Sequence, residues 1–215
     1  NVDSILNVLE TAPPDSNRLR TLNRAGTIFM ERGDLDRAIT LYTEFNELAR
    51  KLGNTRAEGF GLERLGTANY YLGRAPAAMD FWEQSMAIRM ARADSNGIYD
   101  LRINMANGMV SMDELEQGLR TFFEVLAWAE RNGKREYQSP CITNIAMVYA
   151  MQGKLEDAAR YNRRLLAEFK TELTPVDRSI ALANLGQVQL DMGRPDTARI
   201  TFTELAQQVG LSKTP

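Results

Sequence analysis

Residues 65–82 read LGTANYYLGRAPAAMDFW. Within this stretch Gly66 is followed by Gly73, then by Ala78, then one helical turn later by Trp82. The same residue types return in five consecutive copies, 40 positions apart. Small residues stand at Gly26, Gly66, Ala106, Ala146 and Gly186. A second small set follows at Ala38, Ala78, Gly118, Ala158 and Ala198, and four positions on come Tyr42, Trp82, Phe122, Asn162 and Phe202. Asn162 is the polar exception in an otherwise aromatic register. A fixed period of this size marks a repeat array, in which one unit buries its apolar face only against the next.

Each unit reads as two helices. The first runs to a tight turn, clearest as Glu31-Arg32-Gly33-Asp34 and Met151-Gln152-Gly153-Lys154. Gly33, Gly73, Gly153 and Gly193 share one register, as expected where a helix ends in a left-handed residue. Asp113 takes that place in the third copy, and Asp is among the non-glycine residues that tolerate it best. The second helix carries the Ala and aromatic registers. Its end is expected near Gly53, near Asp94-Ser95-Asn96-Gly97, near Gly133 and near Gly210, with a further boundary at Thr174-Pro175. Ahead of the array, residues 3–10 read as a short helix with Asp3 as its cap and Ile5, Leu6 and Leu9 on one face. Pro13-Pro14 ends it. There is no strand-like alternation and no low-complexity tract, so the expected class is all-α.

Close approach of two antiparallel helices requires small side chains, which the Gly and Ala registers supply. The aromatic one turn later is expected to fill the space between one hairpin and the next. The ten Met residues are expected to fill gaps in the core.

Composition narrows the function. The chain is 44% hydrophobic and 25% charged, which suits a soluble globular or solenoidal protein with a sizeable core. Lys and Arg total 26 against 28 Asp and Glu, so no basic field exists to hold a nucleic-acid backbone. No apolar run approaches the ~20 residues that span a bilayer, and no basic and apolar leader opens the chain. It starts at Asn1 rather than Met, which leads us to expect a trimmed or processed product of a longer parent. Cytoplasm and periplasm both remain open as compartments. With no histidine, a Ser-His-Asp or Cys-His nucleophile and a histidine-containing metal site are excluded. Cys141, the one cysteine, is expected to be a buried thiol and forms no internal disulfide. Glu114, Glu116, Glu156 and Asp157 lie near repeat turns, where they favour helix N-termini through the macrodipole. No glycine-rich phosphate loop follows a strand. No catalytic, cofactor-binding or metal-binding residue is therefore assigned.

The registers resemble the tetratricopeptide repeat, whose pattern is a Leu-Gly pair, an aromatic, an Ala and then Phe or Tyr. Leu65-Gly66, Leu185-Gly186 and Ile145-Ala146 match the opening pair, and Phe29 and Tyr149 match the first aromatic. Gly153-Lys154-Leu155-Glu156-Asp157-Ala158 matches the turn and the start of the second helix. The resemblance extends from about Asn17 to Val209. It departs from the family in its period, longer than the usual ~34 residues, and in lacking the repeat-ending proline. The third copy is the least regular, with Arg102 at an apolar register and Gly118 in place of Ala. HEAT and armadillo repeats, with periods of about 40–47 residues, compete on length alone. The resemblance implies a right-handed α-solenoid of five helix-turn-helix repeats, at 17–56, 57–96, 97–136, 137–176 and 177–215. A short N-terminal helix and linker at 1–16 complete a single domain, 1–215.

The long period is similar to that of kinesin light chains, Pins-type polarity adaptors and bacterial Rap-type regulators. The opening segment also resembles bacterial signalling proteins in which such an array precedes a histidine kinase, nucleotide cyclase or DNA-binding output domain. In such superhelices the first helix of each unit lines the concave surface. One register there holds Arg24, Arg64, Asn104, Asn144 and Asn184. In long-period relatives, asparagine at this place clamps the backbone of an extended peptide. An Asn amide offers donors and an acceptor that match a peptide unit whatever its side chains. The two arginines pair in bidentate fashion with a carboxylate or phosphate, which suggests a partner with an acidic end. Thr27, Thr67, Asn107, Met147 and Gln187 lie one turn along, and Tyr71 further on beside Tyr70, for which core packing is an equal reading. Solvated polar positions on helix surfaces are the plainer alternative for the whole set.

The leading expectation is a non-catalytic scaffold for an extended peptide or protein segment. A sensory or regulatory region of a larger bacterial signalling protein is compatible with it. Self-assembly through the array ends and an enzyme are weaker alternatives. The last helix carries Ile200, Phe202 and Leu205 with no further helix to cover them, so the chain is expected to continue past Pro215 or to self-associate there.

Overall fold

The structure is a computed structural model that describes residues 2–211, with side chains for all of these except residues 2–4, 10 and 211. The side chain of Asp3, expected as a cap, and the segment ending at Pro215 lie outside the described residues. Every regular element among the described residues is an α-helix. They pack as two compact units, Asn1–Met112 and Asp113–Pro215.

The first unit holds α1 (Val2–Thr11), α2 (Ser16–Glu31), α3 (Leu35–Lys51), α4 (Thr55–Tyr71), α5 (Ala75–Ala91) and α6 (Ser95–Ser111). Each helix packs on the next, and α4 also touches α6. The second holds α7 (Leu115–Arg131), α8 (Arg135–Met151), α9 (Leu155–Glu168), α10 (Pro175–Asp191) and α11 (Pro195–Leu211), packed in the same sequential way with α8 also touching α10. This is the packing of an α-solenoid built from helix-turn-helix pairs.

Local chemistry sets the boundaries. Gly33, Gly73, Gly153 and Gly193 adopt φ of +69° to +74°, and Asp113 follows at +65°. Gly53 and Gly133 end α3 and α7 in the same conformation. The boundaries expected near Asp94-Ser95-Asn96-Gly97 and near Gly210 fall there, since α5 ends at Ala91 and α11 at Leu211. The left-handed residue after α5 is Ala93 (φ +54°), followed by Asp94 as the cap of α6, and Gly97 lies in the first turn of that helix. Side-chain caps come from Asp15, Asp34, Asn54, Asp94 and Thr174. Asp15 accepts from the amides of Asn17 and Arg18 at 2.8 and 3.0 Å, and these bonds, led by that to Arg18, hold its carboxyl below the ordinary range.

The small and aromatic registers meet within one hairpin. A Cβ at Gly26 would stand 2.8 Å from the Tyr42 ring, and one at Gly186 would stand 2.6 Å from the Phe202 ring. The aromatic therefore lies first against the small residue of its own hairpin, where the expectation had it between hairpins. Trp82 does both, since its ring also reaches Gly108 on α6. Trp82, Tyr42 and Phe122 are among the largest fully buried side chains. The methionines do not fill the core. None is fully buried; Met90, Met147 and Met151 are exposed, and Met79, Met86 and Met105 line the margin of the Trp82 cluster.

Candidate functional site

The ladder positions fall on the first helix of each pair. In the first unit Arg24 lies on α2, Arg64 on α4 and Asn104 on α6; in the second, Asn144 lies on α8 and Asn184 on α10. Arg24 and Asn184 are exposed, and the other three are half-buried. No hydrogen bond or ion pair with another described residue engages any of these five side chains. Arg64 rests its guanidinium 4.8 Å over the Phe60 ring, and its buried Nε has no partner. Stacking of this kind fixes a planar cation and leaves its edge free to donate.

Other polar side chains of the same types are used internally. Asn69 donates to the Leu65 carbonyl at 2.8 Å, Asn162 to the Ala158 carbonyl at 3.0 Å and Asn132 to the Trp128 carbonyl at 2.8 Å. Arg18–Glu44, Arg50–Glu58 and Arg178–Glu204 tie one helix of a unit to another, while Arg135–Glu172 and Arg194–Glu156 each tie a helix to a turn between helices. Sequence reading did not find these ties, because each joins residues on different elements of the chain.

The remaining candidates divide. Thr27 shares a 3.1 Å hydrogen bond with the Tyr42 hydroxyl, and Thr67 donates to the Glu63 carbonyl, so the fold already occupies both hydroxyls. Gln187 donates to Asp191 at 2.8 Å. Asn107 is half-buried and Met147 exposed. Tyr71 is 63% exposed with its ring 5.8 Å from that of Tyr70, which packs in turn beside Trp82 at 5.8 Å between ring centroids.

Cys141 is buried, and burial pushes its thiol up to about 12. Among the described residues no group of three His, Cys, Asp or Glu side chains is placed to hold a metal ion, and no helix is long and apolar enough to cross a membrane.

Residues 141–171 match the family model of the tetratricopeptide repeat. No curated protein sequence matches the chain. Among solved structures it is similar to BtubC (BKLC) from P. vanneervenii, at TM-score 0.82 and 18% identity over 100% of this chain and 92% of that one. It is similar to kinesin light chain TPR-like repeats from Podosopora anserina, at TM-score 0.71 and 14% identity over 95% of this chain and 100% of that one. NprR in complex with its cognate peptide NprX gives TM-score 0.78 and 15% identity, over 95% of this chain and 59% of that one. The fold is thus shared with tetratricopeptide-like repeat proteins.

Proposed function

We propose that this tetratricopeptide-type solenoid is a non-catalytic scaffold that takes an extended peptide or protein segment on the faces of its first helices. Arg24, Arg64 and Asn104 are its contacts in the first unit, and Asn144 and Asn184 in the second. The observation that carries this reading is that five polar side chains at one register have no hydrogen-bond or ion-pair partner among the described residues, although the chain pairs similar side chains elsewhere. A primary amide left open on a helix face matches the donor and acceptor of a peptide group without regard to sequence. Asn107, Tyr71 and Gln187 border the ladder, and Thr27 supports it by tying α2 to α3 through Tyr42, whereas the bond of Thr67 stays within α4.

The test is retention of a randomised octapeptide library on the immobilised chain, compared with an Asn104/Asn144/Asn184→Ala variant of equal helicity. Retention by the native chain and its loss in the variant is the expected result. Equal retention by both would remove the ladder from the account.

A second reading, a ligand-binding regulatory region of a longer signalling protein, has one observation in its favour. The chain spans 59% of NprR, a protein solved with a bound peptide. The two readings share the same peptide-binding face.

A further inference from the structure

The two rungs of the second unit have an apolar flank. On α8, Asn144 is followed by Met147 and Met151; on α10, Asn184 is preceded by Ile180. At 3.6 residues per turn, positions three and seven after a rung and four before it fall within about 60° of it, all on the same side. α8 and α10 touch, so two neighbouring helices share this flank. Its side chains face water: Met147 is 41% exposed, Met151 53% and Ile180 48%. The core of the unit is built from other faces of the same helices, through Ile142, Ile145 and Val148 on α8 and Leu182, Leu185 and Val188 on α10. Packing of the fold therefore does not call for the three exposed residues.

No open charge competes for the flank. The carboxylates on the same faces are each engaged by a neighbour. Glu136 lies 3.7 Å from the Lys134 ammonium, Asp177 accepts from the Thr174 hydroxyl at 2.6 Å and Asp191 accepts from the Gln187 amide at 2.8 Å. The same registers are mainly polar in the first unit: that of Met147 holds Thr27, Thr67 and Asn107, and that of Ile180 holds Arg20, Phe60 and Asp100. Exposed apolar side chains clustered beside open polar groups mark a contact surface.

We infer that the second unit selects its extended segment by aliphatic side chains: Asn144 and Asn184 hold the main chain, and Met147, Met151 and Ile180 take the Leu, Ile or Val side chains of alternate residues. The inference rests on the ladder reading and names the class of segment that the ladder takes. Helices in contact lie roughly 8–10 Å apart, a gap that an extended chain crosses in about three residues. Its side chains alternate between two faces, so residues two apart come to the same flank. Methionine is unbranched and flexible, so the flank accepts aliphatic side chains of different shapes rather than one residue alone. A carboxylate or hydroxyl brought there loses water and gains no partner.

The experiment uses the immobilised full chain and three hexapeptide libraries. Positions two and four are both Leu, both Ser or both Glu, and the other positions are randomised. The native chain is expected to retain the Leu library roughly tenfold better than the Ser library, the scale of partly burying two side chains, and the Glu library no better than the Ser library. A Met147→Gln/Met151→Gln/Ile180→Gln variant keeps good helix formers at exposed positions, with helicity checked by circular dichroism. It is expected to retain all three libraries equally and weakly, whereas Asn104/Asn144/Asn184→Ala is expected to retain none. Equal retention of the three libraries by the native chain, lost in the Asn variant, would leave the ladder standing and overturn the aliphatic selection. A Leu preference that survives the Gln substitutions would overturn it too, as would one that survives loss of the three asparagines. Dimerisation of the native chain that the Gln substitutions abolish, with no Leu preference, would give the flank to a second copy instead. No retention in any arm would remove both the selection and the ladder.

Discussion

The indole of Trp82 lies so close over Gly66 that a Cβ on Gly66 would stand 2.5 Å from the ring atoms Cδ1 and Nε1. The ring is rigid and 1% exposed, and its Nε1 donates to the Glu63 carbonyl at 3.3 Å. It has nowhere to retreat. The hairpin of α4 and α5 therefore requires hydrogen in place of a methyl group at this one position.

Gly66→Ala is expected to destabilise the first unit by about 1–3 kcal/mol through overpacking, despite the better helix propensity of Ala. Trp82→Ala is expected to cost about 3–5 kcal/mol through the cavity it leaves. Urea denaturation of both single variants and the double checks the pairing. If Gly66→Ala costs much less once Trp82 is removed, the two residues oppose each other directly; additive losses would count against the contact.

Arg89 bridges Glu63 and Asp94, and its side chain and that of Glu63 are only 13% and 15% exposed. Gly97 leaves room for this guanidinium, which a Cβ there would strike. Arg89→Ala strands a buried carboxylate and is expected to cost about 3 kcal/mol near neutral pH. Burial already pushes the Glu63 carboxyl above its ordinary 4.5, with Arg89 the main influence pulling it down. Losing Arg89 raises it further, so the folded variant binds a proton that the unfolded chain releases. Its stability deficit should shrink as pH falls toward 4.5 and grow as pH rises through the folded value. A deficit independent of pH would contradict this account.

The Cys141 thiol is covered and protonated. Ellman's reagent is expected to label it slowly in the native chain and at once in urea. Its raised value, about 12 against an ordinary 9.0, gives a definite sign. Whatever stability the protonated thiol contributes is complete below 9.0 and is lost as pH rises from there through about 12. Rapid labelling of the native chain would refute the burial.

Asn162 occupies the register that is aromatic in the other copies. It is 2% exposed, and its Oδ1 is buried without a partner. Asn162→Leu keeps the approximate shape and removes an unsatisfied acceptor, so it is expected to stabilise the second unit by about 1 kcal/mol. A loss of stability in thermal or urea unfolding would show that the oxygen is satisfied in solution.

The sequence discloses those parts of the fold that depend on a residue's own backbone. Gly33 and Gly153 mark left-handed turns because that conformation selects glycine, and Asp113 is legible there for the same reason. Ala93 is illegible because alanine has no preference for φ +54°; the neighbouring capping tendency of Asp94 is the only local cue. Periodicity identifies Gly66 and Trp82 as packing residues, but it does not say that the ring covers the glycine of its own hairpin. Spacing likewise gathers the ladder on one helix register. It does not reveal that Thr27 is held by Tyr42, or that α8 and α10 touch. Those facts depend on docking between helices.

The most direct measurement is of the side-chain amides of Asn104, Asn144 and Asn184. The chain is labelled with nitrogen-15, these resonances are assigned by single Asn→Asp substitutions, and a peptide retained from the randomised library is added. The account predicts that the NH2 resonances of all three shift on binding while those of Asn69 and Asn162, which donate to the helix backbone, stay in place. Binding that leaves the three ladder amides unmoved would contradict it.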